Sequence, residues 1–179
     1  MRIMVASDIH GSYGWACRIV DKFREEKADK LLLLGDILYH GPRNNLPSDY
    51  APRDVIELLN SIAPSILAVR GNCDTEVDQM VLKFPIMADY MYLVSDYSSG
   101  AESNSLVVFA THGHVYNPSN PPIGLTPGAV LLCGHTHIAE DVDMDGYRYM
   151  NPGSPSIPKN GSVPSYILID SGSAELKAF

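Results

Sequence analysis

Arg2-Ile3-Met4-Val5-Ala6-Ser7-Asp8-Ile9-His10 runs from a short apolar stretch into two polar residues spaced two apart. Residues 2–6 read as a buried strand, and on its extended exit Asp8 and His10 point the same way. Ala16, Ile19, Val20 and Phe23 then recur at helical spacing up to the charged end Arg24 to Lys27. Leu31 to Leu34 reads as a second buried strand, leading into Gly35-Asp36. Val55, Ile56, Leu58, Leu59 and Ile62 mark a second amphipathic helix with Pro52 well placed at its start. Ile66 to Val69 gives a third strand, leading into Gly71-Asn72. An order of β-α-β-α-β implies parallel strands joined by right-handed crossovers, with ligands at the strands' carboxyl ends. Asp8, His10, Asp36 and Asn72 all fall there.

From about Met87 the pattern changes to shorter β-rich runs at 91–95, 106–110, 130–133, 147–150 and 166–169, which predicts a second sheet. Asp145-Gly146, between Val142-Asp143-Met144 and Tyr147-Arg148-Tyr149, is a two-residue hairpin signal, and Ser98 to Ser105 reads as a polar hairpin tip. The two sheets must bury faces against each other, with amphipathic helices outside, including a shorter one near Val77 to Leu82. The stretches 39–52 and 117–127 read as long surface loops of the kind that carry function. With no repeat or linker, residues 1–179 are expected to form a single α/β domain.

The 179 residues are 45% hydrophobic and 19% charged, as in an ordinary globular protein. A formal charge of −8 argues against broad nucleic-acid or anionic-membrane binding, which needs clustered Lys and Arg. Cys17, Cys73 and Cys133 form neither a disulfide framework nor a C-x-x-C thiolate site, which fits a reducing cytoplasm. No basic leader precedes Ile3 and no apolar stretch approaches the length that spans a bilayer, so export and membrane anchoring are not expected.

Five of the six histidines fall in Asp8-Ile9-His10, His112-Gly113-His114 and Gly134-His135-Thr136-His137. Nearly all of these segments follow a predicted strand. Taken singly, each has a commoner structural reading: a turn Asp, a helix cap, a left-handed Asn, a hydrogen-bonded His. Their coincidence at strand ends in one chain points instead to imidazole, carboxylate and amide oxygen converging on borderline divalent cations.

The ordered set D-x-H, G-D, G-N-x-D, H-G-H, G-H-T-H from Asp8 to His137 resembles the calcineurin-like metallophosphoesterase superfamily. Gly71-Asn72-Cys73-Asp74, the insertion His40-Gly41-Pro42-Arg43-Asn44 and Asn151-Pro152-Gly153-Ser154 are similar to its small YfcE-type bacterial phosphodiesterases. The resemblance implies a four-layer α/β/β/α sandwich with two mixed sheets. It implies Asp8, His10 and His137 on one metal, Asn72, His112 and His135 on another, and Asp36 bridging both. The implied activity is hydrolysis of a small phosphodiester by hydroxide activated at the metal pair, since two cations neutralise the anionic ester and acidify bound water. Manganese is the metal expected from the family, although iron, zinc, cobalt and nickel suit the same ligands.

Asp36, Asn72, Cys73, Asp74 and His114 form the candidate catalytic set. Many relatives carry His at the position of Cys73, where it is assigned to protonating the leaving oxygen. A thiol donor and a small space-filling Cys both remain open here. His114 is a second candidate proton donor or a support for the ligand histidines, and Asp74 is expected to orient the Asn72 loop. Arg43 is a candidate phosphate contact, with a solvated loop arginine as its other reading; His40 falls under the same two readings. Tyr90, Tyr92 and Tyr97 suit sheet packing or a subunit contact, which leaves a homo-oligomer open. The same resemblance includes the eukaryotic retromer sorting subunit, a protein-binding scaffold, so a non-catalytic scaffold and a phosphomonoesterase are the alternatives. All seven ligand positions here hold competent residues, which favours the enzyme.

Overall fold

A computed structural model describes residues 1–99 and 102–179. The tip of the 98–105 hairpin and the side chain of Tyr97 lie outside the described residues. The first half runs β1 (Ile3–Ala6), α1 (Tyr13–Glu25), β2 (Lys30–Leu33), α2 (Pro52–Ser61), β3 (Ile66–Ala68) and α3 (Glu76–Val81). The second half runs β4 (Tyr90–Ser99), β5 (Glu102–Thr111), β6 (Ala129–Leu132), β7 (Ala139–Asp143), β8 (Tyr147–Pro152), β9 (Ser165–Asp170) and β10 (Ser173–Ala178).

These strands form two mixed five-stranded sheets, ordered β10-β9-β1-β2-β3 and β4-β5-β6-β8-β7. The predicted parallel unit is present: Ile3 pairs with Lys30 and Leu31 with Ile66. Parallel pairing recurs in the second sheet, where β5, β6 and β8 run together. The hairpin read from Asp145-Gly146 joins β7 to β8, with Met144 N–H donating to Tyr147 O at 2.8 Å and Gly146 at φ 86°. The strand β10, antiparallel to β9, was not expected from sequence.

Helix α1 starts where the Ser12 hydroxyl accepts from Trp15 N–H and ends with Lys22 and Arg24 beside the exposed carbonyls. Ala16, Ile19, Val20 and Phe23 face β1 and β2, and α2 places Val55 and Leu59 in the same core. Alternation along β1 and β2 sends Met4, Ala6, Leu31 and Leu33 to this helical side and Ile3, Val5, Leu32 and Leu34 to the second sheet. There they meet Val108, Ala110, Val130 and Leu132. On the far side of the second sheet, Phe109, Leu131 and Tyr149 form a further apolar layer. Tyr116 and Leu125, from the irregular 112–128 segment, cover it. Tyr90 stacks on Phe109 at 5.0 Å and Tyr92 meets the same ring edge-on, so both pack on the sheet while about half exposed. Among the described residues, no helix is long and apolar enough to cross a membrane.

Candidate metal centre

Parallel pairing in both sheets brings the carboxyl ends of β1, β2, β3, β5 and β6 to one edge of the sandwich. Asp8 and His10 follow β1, Asp36 follows β2, Asn72 follows β3, His112 follows β5, and His135 and His137 follow β6. The turns are sharp: Asp8, His10, Asp36, His135 and His137 have φ between 51° and 68°. Asp and His tolerate this left-handed region better than most side chains, at a cost of about 1–2 kcal/mol each. Glycines let the turns touch. A Cβ on Gly71 would overlap the amide nitrogen and carboxylate of Asp36, and one on Gly134 would lie 2.6 Å from Asp8 Oδ2.

In one cluster, His10 Nε2 lies 3.1 Å from His137 Nε2, and Asp8 Oδ1 lies 3.6 and 3.3 Å from those two atoms. In the other, His112 Nε2 lies 3.1 Å from Asn72 Oδ1 and 3.2 Å from His135 Nδ1. Asp36 stands between them, with Oδ2 3.8 Å from His10 Nε2 and Oδ1 3.5 Å from His112 Nε2. Neighbouring donors around a cation with bonds of about 2.1 Å sit about 3.0–3.6 Å apart. The residues therefore have the spacing of ligands.

Hydrogen bonding gives an independent test. His10 Nδ1 donates to Tyr39 O at 2.7 Å, His112 Nδ1 to Leu34 O at 2.7 Å and His137 Nδ1 to Ile157 O at 2.8 Å. A carbonyl only accepts, so in each neutral ring Nδ1 carries the proton and Nε2 points its lone pair at the site. Lone pairs of His10 and His137 thus oppose each other across 3.1 Å, an arrangement that a cation relieves. Asp8 Oδ2 accepts from Ser7 Oγ at 2.6 Å and His135 N–H at 2.9 Å, whereas the buried Oδ1 has no hydrogen-bond partner among the described residues. Such an orphan is costly unless something positive meets it.

The electrostatics agree. Burial pushes Asp8 up, but the adjoining His10 and His137 imidazoles, then His112, hold it well below the usual carboxylate range. Burial pushes His10 down, and Asp8 and Asp36 more than reverse this, so the field at Nε2 favours a positive charge, whether a proton or a cation. Burial and the neighbouring His112 push His135 down to about 4, which keeps its ring neutral and able to ligate.

The remaining expected residues lie around this centre in different ways. Cys73 donates its backbone N–H to Asp36 Oδ1 at 2.8 Å and borders the cleft; burial, then the Asp36 carboxylate, push its thiol up to about 12. Asp74 sits behind the site, accepting backbone N–H bonds from Asp36, Ile37 and Gly71 at 2.9, 3.0 and 2.7 Å, so one carboxylate ties two ligand turns together. The His114 ring lies 5.3 Å from that of His112 and is exposed. Arg43 lines the cleft, a cavity of about 480 Å³. His40 instead packs against Tyr39 and Tyr50.

Sequence reading missed Lys159, a second cation on the cleft wall; its backbone N–H donates to His137 O at 3.0 Å. Nothing in the Pro158-Lys159-Asn160 turn signals that placement. The 151–156 stretch acts as a brace, with Asn151 Nδ2 donating to Gly134 O at 2.8 Å and Ser154 Oγ to Asp8 O at 2.7 Å.

The family model for the calcineurin-like phosphoesterase superfamily domain matches residues 1–174, which include every candidate ligand. The chain belongs to the calcineurin-like phosphoesterase superfamily. Among members of this superfamily, it is 45% identical over 170 residues to phosphodiesterase YfcE of Escherichia coli, covering 95% of this chain and 88% of that one. The solved structure of the Escherichia coli phosphoesterase YfcE superposes with a TM-score of 0.89 at 43% identity, covering 99% and 93% of the two chains. An archaeal phosphodiesterase structure matches at a TM-score of 0.66 and 21% identity over the whole of both chains. Vps29 of Chaetomium thermophilum matches at 0.58 and 18%, covering 99% and 95%. These last two share the fold. Members of a metallophosphoesterase superfamily use divalent metal ions, and the donor set described above fits them.

Proposed function

We propose that residues 1–179 form a single cytoplasmic domain that hydrolyses small phosphodiesters with two divalent metal ions, manganese first among the metals that suit these ligands. One observation carries the reading: Asp36 lies between two clusters of inward-facing lone pairs, beside a buried Asp8 oxygen that has no hydrogen-bond partner among the described residues. Similarity to phosphodiesterase YfcE over 95% of the chain supports the substrate class. The free thiols of Cys17, Cys73 and Cys133 suit a reducing cytoplasm.

In this reading Asp8, His10 and His137 hold one ion, Asn72, His112 and His135 hold the other, and Asp36 is shared. When bound, the pair supplies positive charge to the phosphoryl oxygens and an acidified water aligned for in-line attack. Asp36, Asn72 and Cys73 line the position of the reacting ester. Arg43 and Lys159 attract the anionic diester within an otherwise acidic protein. Asp74 is a positioning residue for the Asp36 and Gly71 turns, and His114 supports the His112 ring. Self-association through the exposed Tyr90 and Tyr92 face is part of the same proposal.

Metal dependence tests the reading directly. Chelator-stripped protein given manganese at about 100 times its Kd gains about 2.7 kcal/mol, a rise in Tm of about 5–10 °C for a domain of this size. Hydrolysis of bis(p-nitrophenyl) phosphate should appear with the same titration and exceed that of p-nitrophenyl phosphate. An unchanged Tm refutes the metal sites, and faster monoester turnover refutes the diester preference.

Cys73 sets the range of leaving groups. A thiol pushed up to about 12 is a weak acid, adequate for aryl leaving groups that need little protonation. Cys73→His is expected to raise turnover of diesters with alkoxide leaving groups by about tenfold or more relative to aryl ones. An equal effect on both classes removes proton donation from this position.

A further inference from the structure

We infer that the catalytic cleft opens past Cys73 into an apolar subsite, so that one ester arm of the substrate is an uncharged apolar group. The inference rests on the phosphodiesterase reading for the identity of the bound phosphate and adds the chemistry of the arm. A groove of about 420 Å³ lies between α2, α3 and the loop after Asp36, walled by Tyr39, Tyr50, Ile56, Val77 and Val81. Cys73 borders both this groove and the cleft, so the two spaces meet at one side chain.

The groove walls are tied to the ligand turns. Tyr39 accepts the Nδ1–H of His10 on its carbonyl, and the Tyr50 ring lies so close to Gly11 that a Cβ there would sit 2.8 Å from Tyr50 Cδ2. A group docked in the groove is therefore held in register with the candidate metal ligands. Val77 is 68% exposed and Val81 43%, a cost in apolar hydration that an apolar arm would recover. Of the charged members, Asp78 offers a cationic arm little. Asp78 Oδ2 already accepts from the Thr75 amide and hydroxyl at 2.7 and 2.9 Å, and Arg53 is exposed.

A second groove, of about 410 Å³, borders the cleft at His135 and Thr136 instead, and its lining mixes Asn117, Ser119 and Glu140 with Val142, Met144 and Tyr149.

Alkyl phosphates test this, because each has one arm and an anionic head for the metal cleft. Calorimetry on manganese-loaded protein should show Kd for methyl, butyl and octyl phosphate falling by about threefold per methylene over the first few carbons, then levelling. In a Val77→Asn/Val81→Asn double variant the ratio of methyl to octyl Kd should shrink by about tenfold or more. Thymidine 5′-phosphate, run beside octyl phosphate, distinguishes a polar nucleoside arm from an alkyl chain; octyl phosphate binding tighter than methyl phosphate, an advantage lost in the double variant, supports the subsite, and tighter binding of thymidine 5′-phosphate than of octyl phosphate overturns it. A Kd independent of chain length overturns the inference, as does a slope unchanged by the double substitution. A dimer that dissociates in the double variant, with the slope intact, assigns the groove to a second copy of the chain and also overturns it. Binding is read without turnover, so an absence of diester hydrolysis counts against the phosphodiesterase reading alone.

Discussion

Asp36→Asn is expected to lower diester turnover by about 10³-fold or more, equivalent to several kcal/mol of lost transition-state stabilisation at 1.36 kcal/mol per decade. The amide matches the carboxylate in shape but not in charge or lone pairs. Its oxygen would keep the Cys73 N–H, now at 2.8 Å from Oδ1, and its NH₂ would face His10 Nε2, now 3.8 Å from Oδ2. A donor would then replace the negative oxygen that the first cluster needs. The fold has no reason to change, because Asp74 still holds the turn through the Asp36 and Ile37 amides. His135→Ala should abolish activity for a parallel reason, by removing one donor of the second cluster. Steady-state kinetics with metal content measured on the same samples decides the matter. Near-normal turnover with full metal occupancy would rule out a shared Asp36 carboxylate.

Gly71→Ala should be nearly as damaging without removing any ligand. The added methyl overlaps the Asp36 amide nitrogen and carboxylate, and a Cβ on Gly35 would in turn overlap the Gly71 backbone, so the two turns pack back to back. Separating them costs about 1–3 kcal/mol of stability by overpacking. It also moves Asp36 relative to Asn72, and misplacement of about 1 Å in a catalytic constellation costs about 10²-fold. Metal affinity should fall with activity, and a lowered Tm should accompany both. A Gly71→Ala protein with wild-type metal affinity and turnover would show that the contact between the turns does not set the site.

Much of this was legible in the sequence because the chemistry sits where the pattern changes. The runs 3–6, 31–34 and 66–69 announce buried strands, and Asp8, Asp36 and Asn72 stand just beyond their ends. What could not be read was whatever depends on backbone atoms. Leu34, Tyr39 and Ile157 fix three imidazole tautomers through carbonyls that every residue possesses. Strands β4 and β5 extend to Ser99 and back to Glu102 through polar residues, because ladder bonds along a paired hairpin carry them past the apolar run. The strand β10 escaped because Ser173 to Ala178 has only Ala174 in the core, while β9 supplies the rest of its pairing. Lys159 reaches the cleft through a hydrogen bond to His137, a contact with no local signature.

Five of the eight non-glycine residues with positive φ, among those described, are candidate metal ligands: Asp8, His10, Asp36, His135 and His137. At about 1 kcal/mol each, their combined backbone strain is of the order of a small domain's entire net stability. Glycine would relax every one of these positions where alanine would not. Chemistry and sturdiness therefore pull in opposite directions at this edge of the sandwich. A descendant that traded these histidines and aspartates for glycines would ease the turns, yet would forfeit both the donor atoms and the buried bonds that Asp8, His10 and His137 make to Ser7, Tyr39 and Ile157.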